Sequence, residues 1–355
     1  MILFCGEAAA ARSAAKGGNT VGASAPGKRP IMKKLAVLLL AMMLLASLSA
    51  CKKAETKPTE PTRIMTLNGT TGFGMAGLIA ENAASENPKY TVSVETDASN
   101  VTAALISGSV DIAALPTNAA SVLYGKTQGG VRCLALNTRG VLYLLADGDA
   151  GIASLADLEG QTVYVPAQNP SFIFAALCEK AGVNVTVDNT YAQPADLRTA
   201  LAAGEISLAV LPEPMVTAAC AARSSLRVVL DLTAEWDKVF PAGSLVQGCV
   251  VVRAAFADEH PDAVRQFLAD YEASVALLSS DPDKASQDIE AAGIFPTAAV
   301  AKKALPRCNV CFLTGEEMKA SMSGFLEIML AQAPASVGGS LPGDDFYCML
   351  APAGK

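Results

Sequence analysis

The sequence predicts an α/β protein whose folded part forms two similarly built lobes, each a mostly parallel sheet flanked by helices. Three observations lead there. From Arg63 onward, short strand-like apolar runs alternate with amphipathic helical segments, the pattern of a largely parallel α/β sheet. At 355 residues, about half of them apolar, the chain is long enough for two cores. Finally, Ala104-Leu-Ile-Ser-Gly108-Ser-Val-Asp111-Ile-Ala-Ala-Leu-Pro116 recurs without a gap as Ala200-Leu-Ala-Ala-Gly204-Glu-Ile-Ser207-Leu-Ala-Val-Leu-Pro212. Each copy reads as a helix, a glycine stop that tolerates positive φ, a buried strand, and a proline that cannot donate into the ladder. Two copies so far apart fit paired lobes better than a solenoid. The plainer reading, that helix–Gly–strand units look alike in any α/β fold, stays open.

The elements follow in chain order. Met32-Lys33-Lys34 is a basic start, Leu35 to Ala46 is unbroken and apolar, and Leu48-Ser49-Ala50-Cys51 closes the segment. This is the layout of a secretory signal, and it falls short of the roughly 20 residues that span a bilayer. The last four residues resemble a bacterial lipobox, which implies cleavage before Cys51 and lipidation of its thiol. A second acyl chain on the new amino group would make the anchoring stable. Residues 1–31, rich in Ala, Gly and Ser, have no amphipathic period and read as a disordered start-site miscall, with 32–50 the signal peptide. Residues 51–62, polar and broken by prolines, read as a flexible tether.

Beyond the tether, Ile64–Leu67 is the first strand, a Gly/Thr loop follows, and a helix is expected near Met75–Ser85. Tyr90–Glu95 is the second strand, and Ser99 or Asn100 is placed to cap the helix carrying Val101, Ala104 and Leu105. The last third is helical. Pro261 opens a helix with Val264, Phe267, Leu268, Tyr271, Val275 and Leu278 on one face, and Asp281-Pro282 starts another. Thr314-Gly-Glu-Glu317 reads as a capping box for a helix with Met318, Met322, Phe325, Leu326 and Met329. These stripes are core packing.

Charge and side-chain chemistry narrow the function classes. The net charge is −7, and ahead of Cys51 six Lys/Arg face one acid, so the remainder carries about −12. So acidic a body excludes nucleic acid as a partner, because phosphate contacts need clustered Lys/Arg. Most of the nine cysteines sit in apolar runs as small buried hydrophobes. Cys308-Asn-Val-Cys311 has CxxC spacing but no second pair and no nearby His to complete a zinc site, so no metal is expected. His260 is the single histidine and stands at a helix start, so no Ser-His or Cys-His constellation can be built. Gly72-Phe-Gly74-Met-Ala-Gly77 matches GxGxxG formally, but about four residues separate it from its strand and an exported protein meets little NAD. Gly125-Lys126-Thr127 fails as a P-loop because Ala120 stands where the first glycine belongs.

Several stretches together resemble the substrate-binding lipoproteins of the nitrate/sulfonate/taurine and thiamine-precursor type of ABC importer. They are the lipobox, Gly69-Thr-Thr-Gly-Phe-Gly74, Gly108-Ser-Val-Asp-Ile-Ala-Ala-Leu-Pro-Thr-Asn118, Leu155-Ala-Asp-Leu-Glu-Gly-Gln-Thr-Val-Tyr-Val-Pro166, Leu211-Pro-Glu-Pro214, Gln247-Gly-Cys-Val-Val-Val-Arg253 and the helix from Pro261. Ser207 departs from the pattern, where such proteins often carry the Asp seen at Asp111. The resemblance implies a type 2 periplasmic-binding-protein fold: lobe one from 63–141 plus 251–350 and lobe two from 142–250. The joining strands would cross near 140–144 and 246–250. It also implies hinge closure around a small solute, delivery to an ABC permease and its ATPase, a membrane link only through Cys51, a monomer, no cofactor and no catalysis. The same fold hosts enzymes of menaquinone and thiamine-pyrimidine biosynthesis, the alternative.

In open α/β sheets, ligands bind beyond the carboxyl ends of strands. That rule selects Thr70, Thr71, Gly72, Phe73, Thr117, Asn118, Asn137 and Thr138 from lobe one. It selects Gln168, Asn169, Ser171, Phe172 and Glu213 from lobe two, with Gln247 on a crossing strand. Hydroxyls, amides and helix N–H groups suit a polar or anionic head, and a phenyl ring covers an apolar part. Glu213 reads equally as an amine receptor or as a solvated helix-start acid. Arg139 is the one arginine placed to clamp a strong anion, and a small polar organic solute, heteroaromatic among the options, fits better than nitrate.

Overall fold

The computed structural model describes residues 60–354; the signal, Cys51, most of the tether and residues 1–31 lie outside them. Strand β1 (Thr62–Leu67) leads through a short helical turn α1 (Thr70–Phe73) into α2 (Ala76–Ala84), followed by β2 (Tyr90–Glu95), α3 (Ala98–Ser107), β3 (Ile112–Pro116), α4 (Thr117–Thr127) and β4 (Val131–Arg139). The chain then enters a second sheet: β5 (Leu142–Asp147), β6 (Thr162–Tyr164), α5 (Asn169–Ala181), β7 (Thr186–Asp188), α6 (Pro194–Ala203), β8 (Leu208–Pro212), α7 (Met215–Ala222), β9 (Leu226–Asp231) and α8 (Leu232–Val239). It returns through β10 (Val246–Arg253) and α9 (Ala254–Glu259) to α10 (Pro261–Ser280), α11 (Pro282–Ala291), α12 (Ala298–Ala304), β11 (Val310–Leu313) and α13 (Gly315–Gln332).

Sheet one has the order β11-β4-β10-β3-β1-β2, and sheet two β7-β6-β8-β5-β9. Pairings β1–β2, β1–β3, β6–β7 and β6–β8 are parallel. The strands that begin just after a crossing are reversed: β10 runs antiparallel to β3 and β4, and β5 to β8 and β9; the edge strand β11 is also antiparallel to β4. Register then fixes which ends meet. Pro116 lies opposite Gly248 and Arg139 opposite Val246, while Leu142 lies opposite Pro212 and Tyr143 opposite Asp231. The carboxyl ends of β3, β4, β8 and β9 therefore abut the places where the chain changes sheets, and the loops after them face the boundary between the two sheets.

The crossings admit no bulk. A Cβ built on Gly140 would sit 2.1 Å from the Thr233 hydroxyl, and one on Gly248 would sit 2.3 Å from Asn137 Oδ1. One apolar cluster runs through both halves, holding Leu115, Leu136 and Cys249 of sheet one with Leu144, Val210, Phe174 and Trp236 of the other side. Helix α13 lies across the junction, its Phe325 ring 6.2 Å from that of Trp236. The stripe on α10 is core as read: Val264, Phe267, Leu268, Tyr271 and Leu278 are buried.

Two local expectations change. Helix α3 starts one turn earlier than its apolar stripe suggests, and its cap is Asp97, which accepts from Ser99 N at 2.8 Å. Its first turn, Ala98-Ser99-Asn100, carries no large apolar side chain, so the stripe begins after the helix does. Thr314 occupies the N-cap of α13 but makes no side-chain capping bond, and Glu317 instead reaches Arg139 at 3.6 Å. Asp281 caps α11 as read, accepting from Lys284 N at 3.0 Å.

Candidate functional site

The boundary loops hold most of the polar residues singled out above, and they divide into groups with and without internal partners. Thr117 Oγ1 donates to the Val246 carbonyl at 2.8 Å, and Gln247 Oε1 accepts from Val141 N at 2.7 Å. Asn137 Nδ2 donates to the Thr71 carbonyl at 3.1 Å and its Oδ1 accepts from Thr138 Oγ1 at 3.0 Å. All four of these side chains are buried and stitch the crossings together.

Glu213 is engaged more heavily still. Its carboxylate is fully buried, accepts from Thr217 N at 3.0 Å and Thr217 Oγ1 at 2.9 Å, and takes Arg307 Nε at 2.6 Å. Thr70 Oγ1, from the sheet-one side, donates to the Glu213 carbonyl at 2.6 Å. Glu213 is thus neither solvated nor free for an amine here, because a guanidinium already occupies it. Phe73 is sealed in the core edge-on to Phe295, with centroids 6.5 Å apart, in a cluster that Met215 and Ala218 of α7 also border, so its ring is packing. Gly72 is a packing glycine: a Cβ there would fall 2.0 Å from the Leu67 carbonyl, which explains its place in the loop without any phosphate. Arg139 gives Nη1 to the Gly243 carbonyl at 3.2 Å and faces Glu317, so its charge is countered.

The unspent group is smaller. Asn118, in the first turn of α4, and Asn169, the first residue of α5, are each 9% exposed, and each buries an Oδ1 with no hydrogen-bond partner. One belongs to each sheet. Neither helix has a side-chain cap bond at its amino end, so the first N–H groups are not satisfied by a cap. Around Asn169, Gln168 is exposed with φ 64°, Ser171 Oγ accepts from Asn189 Nδ2 at 3.2 Å and donates to its Oδ1 at 3.4 Å, and Phe172 is half-buried against the core. Thr71 is half-buried beside α1. Each half therefore carries one helix whose first turn holds a buried carboxamide oxygen without a partner, and amides of this kind suit binding rather than bond-making.

Reasoning from sequence missed Arg307, Thr217, Tyr143 and Asn309. Tyr143 OH donates to the Arg307 carbonyl at 2.9 Å, and Asn309 Nδ2 to the Gly140 carbonyl at 2.6 Å. Cys308 and Cys311 are free thiols; burial pushes Cys311 up to about 11, and its Sγ points to the Leu136 carbonyl at 3.7 Å. Among the described residues no group of three or more His, Cys, Asp or Glu is arranged to hold a metal. The ring of His260 packs on Phe256, 4.9 Å between centroids. No helix among the described residues is long and apolar enough to cross a membrane.

Two sheets joined by two crossings, each with a reversed strand after the crossing and loops meeting at the boundary, define the periplasmic-binding-protein fold, and solved structures agree. An ABC transporter protein from Parabacteroides distasonis superposes with a TM-score of 0.70 at 24% identity, covering 81% of this chain and 98% of that one. The periplasmic aliphatic sulphonate binding protein SsuA of Escherichia coli gives 0.63 at 17% identity, covering 83% and 94%. A Candida albicans gene product described as having the generic periplasmic binding protein fold gives 0.51 at 12%, covering 80% and 99%. No curated protein sequence matches the chain. The chain belongs to the NMT1/THI5-like family, whose model matches residues 89–285.

Proposed function

We propose that this protein is an extracytoplasmic solute-binding lipoprotein, anchored through Cys51, that holds a small polar organic or anionic solute between its two sheets. It would act as a monomer and deliver the solute to an ABC permease and its ATPase. Residues 63–141 with 251–350 form one lobe in this reading and 142–250 the other. The observation that carries it is the pair of buried, unpartnered carboxamide oxygens of Asn118 and Asn169, one on each side of the boundary. Leaving such an atom unpaired costs about 1–3 kcal/mol, and a solute bridging the halves would recover part of that from each. The basic-apolar-small-Cys order of residues 32–51 supports the anchor, and the solute-binding and import proteins among the structural neighbours support the transport role.

A melting-temperature screen of the protein against sulfonates, pyrimidines and amino acids tests it. A true ligand at about a hundred times its Kd stabilises the native state by roughly 2.7 kcal/mol, and Asn118→Ala or Asn169→Ala should remove most of that shift. Chemical conversion of a stabilising solute by the purified protein would end the binding-only reading. Retention of a Cys51→Ala variant in the membrane would end the anchor.

A further inference from the structure

Arg307 closes a short 3-10 turn (Leu305–Arg307) just ahead of β11, on the sheet-one side, yet it docks into a socket built by the other side. Its Nε meets Glu213 Oε1 at 2.6 Å, and its Nη2 lies 2.6 Å from the same oxygen and 2.8 Å from Thr217 Oγ1. The guanidinium lies 5.8 Å from the centroid of the Tyr143 ring, whose hydroxyl donates to the Arg307 carbonyl. Two residues on, Asn309 binds the Gly140 carbonyl, and its own carbonyl accepts Arg139 N at 3.1 Å, so the same turn is tied to the point where the chain first crosses. The Thr70 to Glu213 bond adds a second tie from sheet one. The Glu213 carboxylate is 0% exposed, and a buried carboxylate stripped of its cation is strongly unfavourable.

We infer that Arg307 is a positioning residue for solute capture: a third, noncovalent connection between the halves that sets their closed spacing before any solute arrives. This rests on the reading above, since closure bears on function only if a solute is held at the boundary. The guanidinium supplies two directed N–H groups from one rigid plane, one for the carboxylate and one for the hydroxyl, which a lysine cannot duplicate.

Hydrogen exchange of the full-length protein without added solute, read by mass spectrometry, tests the inference in wild type, Arg307→Gln, Arg307→Lys and the double variant Arg307→Gln/Glu213→Gln. Amides in 141–144, 213–218 and 305–311 should exchange about tenfold faster in Arg307→Gln and in the double variant, with β1 and β3 unchanged. Arg307→Lys should fall between them and wild type. The double variant removes the orphaned charge, so it decides the question even if Arg307→Gln alone does not fold. Faster exchange confined to 305–311, or a double variant that exchanges as wild type does, overturns the inference. A solute screen that finds no ligand would count against the proposed function and leave the exchange result standing. Unchanged exchange would remove the connection with solute binding intact.

Discussion

The two copies of the internal repeat solve one structural problem with differently placed charges. Each helix ends on a left-handed glycine, Gly108 at φ 73° and Gly204 at φ 79°, and each glycine is roofed by an arginine, Arg253 and Arg223. Each next strand is joined to the reversed strand by an equivalent backbone bond: Arg253 N to the Asp111 carbonyl at 2.9 Å, and Asp147 N to the Ser207 carbonyl at 2.8 Å. The acid that holds the arginine differs. In the first copy Asp111 sits in the repeat and takes both Arg63 and Arg253, at 2.6 and 2.9 Å. In the second copy Ser207 stands there, and the carboxylate has moved to the reversed strand, where Asp147 takes Arg223 at 2.6 Å. Both copies place an arginine over the turn and an acid to hold it, but both addresses change, since Arg253 ends β10 whereas Arg223 follows α7. The departure at Ser207 is therefore a relocation of the carboxylate.

The comparison breaks most readily at Asp111, whose side chain is only 4% exposed against 17% for Asp147. Asp111→Ala should cost about 2 kcal/mol, between the ranges for buried and surface pairs because both of its arginines are partly exposed. Asp147→Ala should cost clearly less; equal losses in denaturant melts would erase the distinction. Next come the glycines. An alanine at either left-handed position costs about 1 kcal/mol, with Gly204→Ala the worse because its Cβ would lie 2.6 Å from the Arg223 guanidinium, against 3.5 Å for Gly108 and Arg253.

Acid titration sharpens the same contrast. Burial pushes the Asp111 carboxyl up, but its hydrogen bonds to Arg63 and Arg253 outweigh that and hold it below its ordinary value of 3.8. A depressed folded pKa gives stability that is present above the ordinary value and lost as pH falls through the folded one. Asp111→Asn should therefore flatten the decline in stability below about pH 4, as followed by circular dichroism. The smallest effect is expected from exchanging addresses. Ser207→Asp alone sets a second carboxylate beside Asp147, and adding Asp147→Ser should recover stability to within about 0.5 kcal/mol of wild type.

Much of this architecture was legible because it is local. Alternating strand and helix signals, the glycine stops and the prolines at Pro116 and Pro212 each act within a few residues, and they mark the loops that reach the boundary. What was not legible depends on partners distant in sequence. Nothing around Leu305-Pro-Arg307 signals a buried acid 94 residues earlier, so the Arg307–Glu213 pair could not be read. The capping box at Thr314 was misread for the same reason, since Arg139 draws Glu317 away. Phe73 shows the limit within a correctly placed loop, because the sequence locates the loop but not the complete burial of its ring. Only the folded chain separates Asn118 and Asn169, left without partners, from Asn137, which has two.

The apolar cluster shared by both sheets bears on how the molecule comes apart. Two sheets with separate interiors would melt as two events, the weaker first. Here Trp236 and Phe325 belong to a single interior that neither half can vacate alone. Heating should therefore give one calorimetric peak whose van't Hoff and measured enthalpies agree. Cutting Trp236 back to alanine should weaken both halves together, and the peak should move without splitting.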